Sequence, residues 1–271
     1  MSIPPISPDE LEALIKKQLE MFYDRRIQTL SNLDLWNTLR RKNPYLFRAI
    51  GMQDASEIVK ELLQVYISSS DEGIFGHIFF EPIAQAVGGG VAATDVGMDV
   101  VIETSEAYTV VQVKSGPNWG NADQKRKLKE NFENARAMFI SRKIKKEFRA
   151  LLGQCYGRAT SEPSDKRLYA VRSGQSFWEE ITGDPEFYLK LIRLMEDYPT
   201  RHRPDYQVAW SNAVNRFTRE FLENFSTSEG SLDWEKIVQL NSGKIPPKKP
   251  RIKKSKSSGS ALKERIRVRY D

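Results

Sequence analysis

The amino-acid sequence predicts an α/β protein with a mixed four- to five-stranded sheet that is flanked by helices. Two β-branched runs, Val100–Ile102 and Tyr108–Val113, are separated by a short polar stretch, which is the pattern of a β-hairpin. Phe148–Tyr156 and Leu168–Val171 are further apolar runs of strand length. Most other apolar residues recur at helical spacing, so helices are expected to cover this sheet.

The first third of the chain is predicted to be helical. Asp9 is expected to cap the first helix, with Glu12 three residues later. Further helices are expected over Asp34–Arg41 and Asp54–Ile67. We predict that residues 1–72 form a helical N-terminal subdomain, which either simply packs beside the sheet or also takes part in dimerisation or in clasping DNA.

Helical patterns also surround the strands in the rest of the chain. Gly73–Val87 is expected to form a helix, and Asn121 is expected to cap another, with Gln124 at its third position. His202 is expected in an exposed loop. Four more helices are expected toward the C-terminus: Gly174–Thr182, Asp184–Met195 with Asp184 as its cap, Asp205–Phe225 and Leu232–Leu240.

The composition excludes several classes of protein. Of the 271 residues, 39% are hydrophobic, so the chain can bury a core. The single cysteine, Cys155, excludes an intramolecular disulfide framework, fits a reducing cytoplasm and is interpreted as structural. Two histidines and one cysteine are too few for a zinc site with several Cys or His ligands. No apolar run reaches the roughly 18 residues that a membrane-spanning helix needs.

Positive charge is concentrated at the C-terminal end of the chain. The whole chain carries a net charge of +6. Residues 244–271 contain eleven Lys or Arg and two acids, a net charge of +9, so residues 1–243 carry −3, which is +6 minus +9. The basic character of the protein therefore comes from this tail, and the rest of the chain must place its positive charges locally.

Polar side chains interrupt both strands of the predicted hairpin. Asp99 opens the first run, and Gln112 and Lys114 interrupt the end of the second and share one face of the strand. If Glu103 pairs with Tyr108, the residue numbers of each pair add to 211 and Asp99 lies opposite Gln112. An acid, an amide and an ammonium group would then converge, as a divalent metal and a hydrolytic water require.

This arrangement resembles the Asp…(Asp/Glu)-x-Lys signature of the PD-(D/E)xK nucleases, with Gln112 in the middle place. The chain continues from Lys114 to Asn121 as Lys-Ser-Gly-Pro-Asn-Trp-Gly-Asn, followed by Gln124. This continuation is more specific than the bare signature, and it is similar to that of type II restriction endonucleases of the PmeII and TdeIII kind. The resemblance implies a PD-(D/E)xK restriction-endonuclease-like core, with C-terminal helices, over residues 73–243.

The resemblance also implies Mg²⁺-dependent hydrolysis of phosphodiester bonds, in which Mn²⁺ can replace Mg²⁺. Asp99 and Glu81 would bind the metal, together with the carbonyl group of Val113 and the amide oxygen of Gln112. Lys114 would position or deprotonate the attacking water. Related nucleases often send a glutamate to the metal from the helix before the hairpin, as Glu81 would; the alternative for Glu81 is a solvated helix acid.

The segment after the hairpin is expected to contact DNA. Lys125 begins a run of cations at a helix N-terminus, where positive charge opposes the helix dipole. A phosphate is therefore the expected partner of these cations. The alternative is a solvated basic face. Trp119 is interpreted either as a packing residue or as a wedge against DNA. The expected DNA-contacting residues of this segment are Ser115, Asn118, Trp119, Asn121, Gln124 and Lys125.

The tail over residues 244–271 offers a second candidate for DNA contact. Arg265, Arg267 and Arg269 alternate with apolar residues, which is a strand pattern. This strand could present three arginines to DNA. The alternative is a disordered tail that attracts DNA only through its charge.

The expected substrate is double-stranded DNA, cut at a short palindromic sequence. A palindromic site has two equivalent scissile phosphates, so a homodimer is expected on DNA. A cognate DNA methyltransferase is expected in the same bacterial or archaeal cytoplasm, and no membrane partner. One alternative is a repair nuclease or junction resolvase of the same fold. The other is a catalytically inactive DNA-binding protein, against which the presence of Asp99 and Lys114 argues.

Overall fold

The central sheet holds six strands within the part of the chain that the computed structural model describes, residues 6–89, 91–92 and 97–247. Their order across the sheet is β1-β2-β3-β4-β6-β5. β3–β4 and β4–β6 pair in parallel, and the other neighbours pair antiparallel. The strands are β1 (Val91–Ala92), β2 (Val100–Glu103), β3 (Ala107–Lys114), β4 (Glu147–Gln154), β5 (Thr160–Ser161) and β6 (Ala170–Ser173).

The prediction of a mixed sheet is confirmed, but the described part of the sheet has six strands where four to five were expected. The additional strands are β1 and β5, which have two residues each and are too short to show a periodic pattern. The predicted tail arginines, Arg265, Arg267 and Arg269, lie outside the described residues.

One face of the sheet is covered by the helix α6 (Ala122–Ser141). This helix connects the parallel strands β3 and β4, which need a long crossover because both must run in the same direction. The helix packs on the sheet through a stripe of apolar residues. Its buried residues are Leu128, Phe132, Ala135 and Phe139.

The opposite face of the sheet is covered by a helical layer. Val111 and Val113 of β3 pack into this layer, whereas Val110 packs toward α6, as the two-residue period of a strand requires. Cys155 is buried in the same layer, in agreement with its structural interpretation. The layer consists of α1 (Pro8–Asn32), a π-helical turn (Gly76–Phe80), α5 (Glu81–Val87), α7 (Gln175–Thr182) and α8 (Phe187–Met195).

The first helix has a different cap from the predicted one. Asp9 lies inside α1, and Ser7 is the cap: its hydroxyl accepts a hydrogen bond from the Glu10 N–H over 3.2 Å. The Glu10 carboxylate accepts in return from the Ser7 N–H over 3.0 Å. Pro8 occupies the first helical position, where a missing N–H is harmless, and this favours the earlier start.

The predicted helix Gly73–Val87 is not a single element. The helix α4 (Ala55–Phe75) continues past its predicted end at Ile67, and the π-helical turn follows it before α5 begins. Pro82 lies in the first turn of α5, where its missing N–H is tolerated, so the backbone can be reorganised just before it.

Two predictions near the C-terminal helices are corrected. Asp184 does not cap α8; it precedes the helix and accepts a hydrogen bond from the Glu186 N–H over 2.9 Å. The helix α9 (Tyr198–Phe225) begins earlier than expected, so His202 is helical and not in a loop. Packing decides this, because the His202 ring stacks on Tyr23 of α1 with 5.0 Å between ring centroids.

A second apolar core lies between helices from both ends of the chain. It joins α4 and α9 to α2 (Leu35–Leu39), α3 (Pro44–Ala49) and α10 (Trp234–Ser242). α1 reaches both cores, and α4 passes across residue 72, so the division of the chain at that residue stays a prediction. No helix in the described ranges combines the length and the apolar character needed to cross a bilayer.

Candidate active site

The β2–β3 hairpin has the predicted register. Glu103 pairs with Tyr108 and Val100 pairs with Val111, so the residue numbers of each pair add to 211. Asp99 immediately precedes β2, and its backbone N–H donates to the Val111 carbonyl over 3.1 Å. The prediction that Asp99 comes to lie beside the end of β3 is therefore confirmed.

The Asp99 carboxylate is held by two donors from β3. The backbone N–H of Val113 donates to Asp99 Oδ2 over 2.7 Å, and Nε2 of Gln112 donates to the same oxygen. A carboxylate only accepts hydrogen bonds, so the amide of Gln112 must present its NH₂ group here. Asp99 Oδ1 accepts no hydrogen bond from the described residues and is left for another partner.

Asp99 and Glu81 form a pair of partly buried carboxylates. Burial raises the pKa of Asp99 above its ordinary value, against the opposing effects of the Lys114 charge and of its hydrogen bonds. Burial also raises the pKa of Glu81, and the negative charge of Asp99 raises it further. His77 opposes this rise, since its Nδ1 lies 2.9 Å from Glu81 Oε2. A bound cation would relieve the repulsion between the two acids.

Two clefts meet at Glu81 and His77. One, of about 240 Å³, is also lined by Val113, Lys114 and the segment that follows Lys114. The other, of about 490 Å³, extends from Glu81 to Asp99. Glu81 therefore stands between the lysine and the aspartate and is accessible from both sides.

Lys114 is the last residue of β3, and its ammonium group is placed beside an aromatic ring. Its Nζ lies 5.7 Å from the centroid of the Trp119 ring, which is within the range of a cation–π interaction. Trp119 is half-buried and packs against the α6 core, which confirms the interpretation of Trp119 as a packing residue. Trp119 thus limits the positions that the ammonium group can take.

The segment after Lys114 is attached to α4 and to the end of β4. The Ser115 hydroxyl donates to Glu72 Oε1 over 2.7 Å, and the Tyr156 hydroxyl donates to the same oxygen over 3.0 Å. The Tyr156 ring packs directly on Gly116, since a Cβ atom at this position would lie 2.0 Å from the ring and would displace it. Asn118 also lines the smaller cleft.

The start of α6 has the predicted cap. Asn121 Oδ1 accepts from the Gln124 N–H over 3.0 Å, and Gln124 Oε1 accepts from the Asn121 N–H over 2.9 Å. Both side chains are therefore engaged with the helix end. Most cations that follow have acidic partners, namely Arg126 with Asp123, Lys127 with Glu130 and Lys129 with Glu133. Lys125 has no ion pair within the described residues.

Three side chains of the site have no signal in the sequence analysis. Glu72 belongs to the last turn of α4, His77 to the π-helical turn and Tyr156 to the segment after β4. The predicted helix over Asp54–Ile67 ends before Glu72. The spacing of Glu72, His77 and Glu81 would have placed them on one helix face only if that helix had been predicted to continue through all three residues. No three His, Cys, Asp or Glu side chains of the described ranges form a metal-binding group.

Comparison with known proteins identifies the family of the chain. No curated protein matches the chain. The model of the type II restriction endonuclease EcoO109I family matches residues 9–202, more than two thirds of the 271 residues, and this range contains the hairpin, α5 and α6. The chain therefore belongs to the type II restriction endonuclease EcoO109I family, a family of DNA nucleases.

Proposed function

We propose that the protein is a Mg²⁺-dependent type II restriction endonuclease of the PmeII and TdeIII kind. It hydrolyses phosphodiester bonds of double-stranded DNA at a short palindromic sequence. The observation that carries the proposal is the convergence of Asp99, Glu81 and Lys114 at the end of the hairpin, with both carboxylates at raised pKa.

The residues present fit a divalent metal. Asp99 and Glu81 supply two carboxylates whose pKa values are raised mainly by burial, and the Val113 carbonyl and the Gln112 amide oxygen would add neutral donors. Oxygen ligands of this kind suit Mg²⁺ or Mn²⁺. When bound, the metal supplies Lewis-acid polarisation of the scissile phosphate and a more acidic water.

The side chains have separate roles in the proposed hydrolysis. Val113 N–H and Gln112 Nε2 fix Asp99 through Oδ2, so that its other oxygen keeps one direction. Lys114 positions or deprotonates the attacking water and offsets the charge that develops on the phosphate. His77 holds Glu81 through Nδ1 and so orients the second carboxylate.

The DNA backbone is proposed to follow the smaller cleft. Ser115, Asn118 and Trp119 line this cleft beside Lys114. Lys125 adds a cation without an ion pair in the described ranges, next to the N-terminus of α6 that Asn121 and Gln124 cap. The tail arginines would extend the phosphate contacts.

The remaining proposals concern assembly. A palindromic site calls for two equivalent active sites, so a homodimer is proposed on DNA, with a cognate methyltransferase protecting the same sequence in the cell. We also propose that the chain is divided into a helical subdomain over residues 1–72, a nuclease core over residues 73–243 and a basic tail over residues 244–271.

Digestion of a plasmid of known sequence, with the fragment ends mapped, tests the proposed function. Discrete fragments that share a sequence at their ends are expected with Mg²⁺ or Mn²⁺, and no cleavage is expected in EDTA. Lys114→Ala should lose cleavage by orders of magnitude, whereas Lys129→Ala, an exposed lysine of α6, should cut normally. Full activity in EDTA, or cleavage restricted to branched DNA, would overturn the proposal.

A further inference from the structure

We infer that the hydroxyl groups of Ser115 and Tyr156 form a phosphate subsite of the DNA-binding cleft, and that the Glu72 carboxylate occupies this subsite in the free protein. The inference rests on the proposed function, because it requires the cleft beside Lys114 to take the DNA backbone. It assigns roles to Tyr156 and Glu72, neither of which a sequence motif marks.

The geometry is that of an anion held by two hydroxyl donors. Ser115 Oγ and Tyr156 Oη both donate to Glu72 Oε1, over 2.7 Å and 3.0 Å. Ser115 follows β3 and Tyr156 follows β4, and these parallel strands end at the same edge of the sheet. The Tyr156 N–H also donates to the Ser115 carbonyl over 3.2 Å, which keeps the two residues side by side.

The acceptor that Glu72 supplies resembles a phosphate oxygen. Both are anionic oxygens that accept from hydroxyl groups, and serine and tyrosine hydroxyls are ordinary phosphate contacts in protein–DNA complexes. Glu72 forms no salt bridge with any described residue, and it lines the same cleft as Lys114. Its charge would therefore repel a phosphate that enters this cleft.

The two hydroxyls have positional support besides Glu72. The Tyr156 ring lies directly on Gly116, where a Cβ atom would approach it to 2.0 Å, and the backbone hydrogen bond between Tyr156 and Ser115 holds the two residues together. Burial, followed by the hydrogen bond to Glu72, raises the pKa of Tyr156, which keeps its hydroxyl protonated as a donor. Glu72 is an exposed residue on α4 that can rotate into solvent.

A competing interpretation is that Glu72 only attaches the segment after Lys114 to α4. The two interpretations predict opposite changes in DNA affinity when Glu72 is replaced. An occupied subsite means that Glu72 competes with DNA, so removal of its charge strengthens DNA binding. A purely structural contact means that the loss of Glu72 loosens the cleft and weakens DNA binding.

A double-mutant cycle measures this difference. DNA affinity is measured in EDTA by fluorescence anisotropy, with a labelled duplex that contains a mapped cleavage site. Glu72→Gln should tighten binding about fivefold, the effect of one charge near a phosphate in a solvated cleft. In the wild type, Tyr156→Phe should weaken DNA binding about twofold, because the hydroxyl's contact to Glu72 in the free protein and its contact to phosphate in the complex are both lost and partly cancel. In Glu72→Ala, where only the phosphate contact is lost, the same substitution should weaken binding about tenfold.

Matched variants control for general effects. Tyr188→Phe, on the exposed face of α8, and Glu57→Gln, on the exposed face of α4, should leave the affinity unchanged. The inference is overturned if Glu72→Gln weakens binding, or if Tyr156→Phe costs no more affinity in Glu72→Ala than in the wild type. Because the cycle is measured without metal, its failure is distinguishable from a failure of the proposed metal ligands, which would appear as cleavage by Asp99→Ala.

Discussion

Replacement of Asp99 separates the structural contribution of this side chain from its chemical one. Asp99→Ala leaves Gln112 Nε2 and the Val113 N–H without their acceptor. An unsatisfied buried donor costs about 1–3 kcal/mol, so the loss of the acceptor for two donors should lower the free energy of unfolding by about 2–6 kcal/mol. Asp99→Asn keeps an oxygen that accepts from both donors, and it removes a carboxylate whose pKa is raised by burial. The free energy of unfolding of this variant should therefore fall by less than about 1 kcal/mol.

Both variants should nevertheless lose cleavage. Metal-assisted hydrolysis draws several kcal/mol of transition-state stabilisation from the metal, and each 1.36 kcal/mol is a factor of ten in rate, so a loss of about a hundredfold or more is expected. DNA binding should be retained, because phosphate and base contacts elsewhere supply it.

Urea unfolding and single-turnover plasmid cleavage measure the two effects separately. Glu106→Ala, an exposed acid in the turn of the same hairpin, is the control and should change stability by less than about 0.5 kcal/mol. Cleavage by Asp99→Asn at the wild-type rate would refute the role of Asp99 in the reaction. Equal losses of stability in Asp99→Ala and Asp99→Asn would refute the hydrogen-bonding argument.

Four further predictions concern the site and the tail. Glu81→Ala should need more Mg²⁺ for cleavage, whereas Glu57→Ala, on the exposed face of α4, should cut normally. Equal and small effects of both substitutions would show that Glu81 is a solvated acid and not a metal ligand. At limiting Mg²⁺, cleavage should fall as the pH is lowered through the raised pKa values of Asp99 and Glu81, and added Mg²⁺ should move this fall to lower pH. In the metal-free protein, the contribution of Asp99 and Glu81 to stability is fully present below their pKa values in the unfolded chain. It is lost as the pH rises through their raised pKa values in the folded protein. The free energy of unfolding should therefore decline less with pH in Asp99→Asn. A protein truncated to residues 1–243 should bind all DNA more weakly, with a salt dependence reduced by roughly one unit per lost phosphate contact; an unchanged slope would exclude the tail from DNA binding.

The local part of the site could be predicted because a strand has a fixed period. Asp99, Gln112 and Lys114 belong to one hairpin, and a register that pairs Glu103 with Tyr108 leaves a single place for Asp99. The cap of α6 was equally predictable, since a capping box involves only residues three apart.

The limits of the helices were harder to predict, because local patterns compete with packing. The π-helical turn that continues α4 packs against a distant helix, since the ring centroids of Phe80 and of Trp178 in α7 are 6.2 Å apart. The sequence around His202 predicts a loop, because nothing near this residue shows that its ring stacks on Tyr23. Tertiary contacts outweigh the weak helical propensities at these positions.

The sequence by itself determined the hairpin, its register and the residues that it brings together, since these depend on contacts between residues that are close along the chain. Only the tertiary structure decided what faces the hairpin. It placed Glu72 against Ser115, 43 residues away, and against Tyr156, 84 residues away. Such contacts form because the last turn of α4 lies beside the segments that follow β3 and β4, and no local pattern records which distant side chains a packed helix will meet.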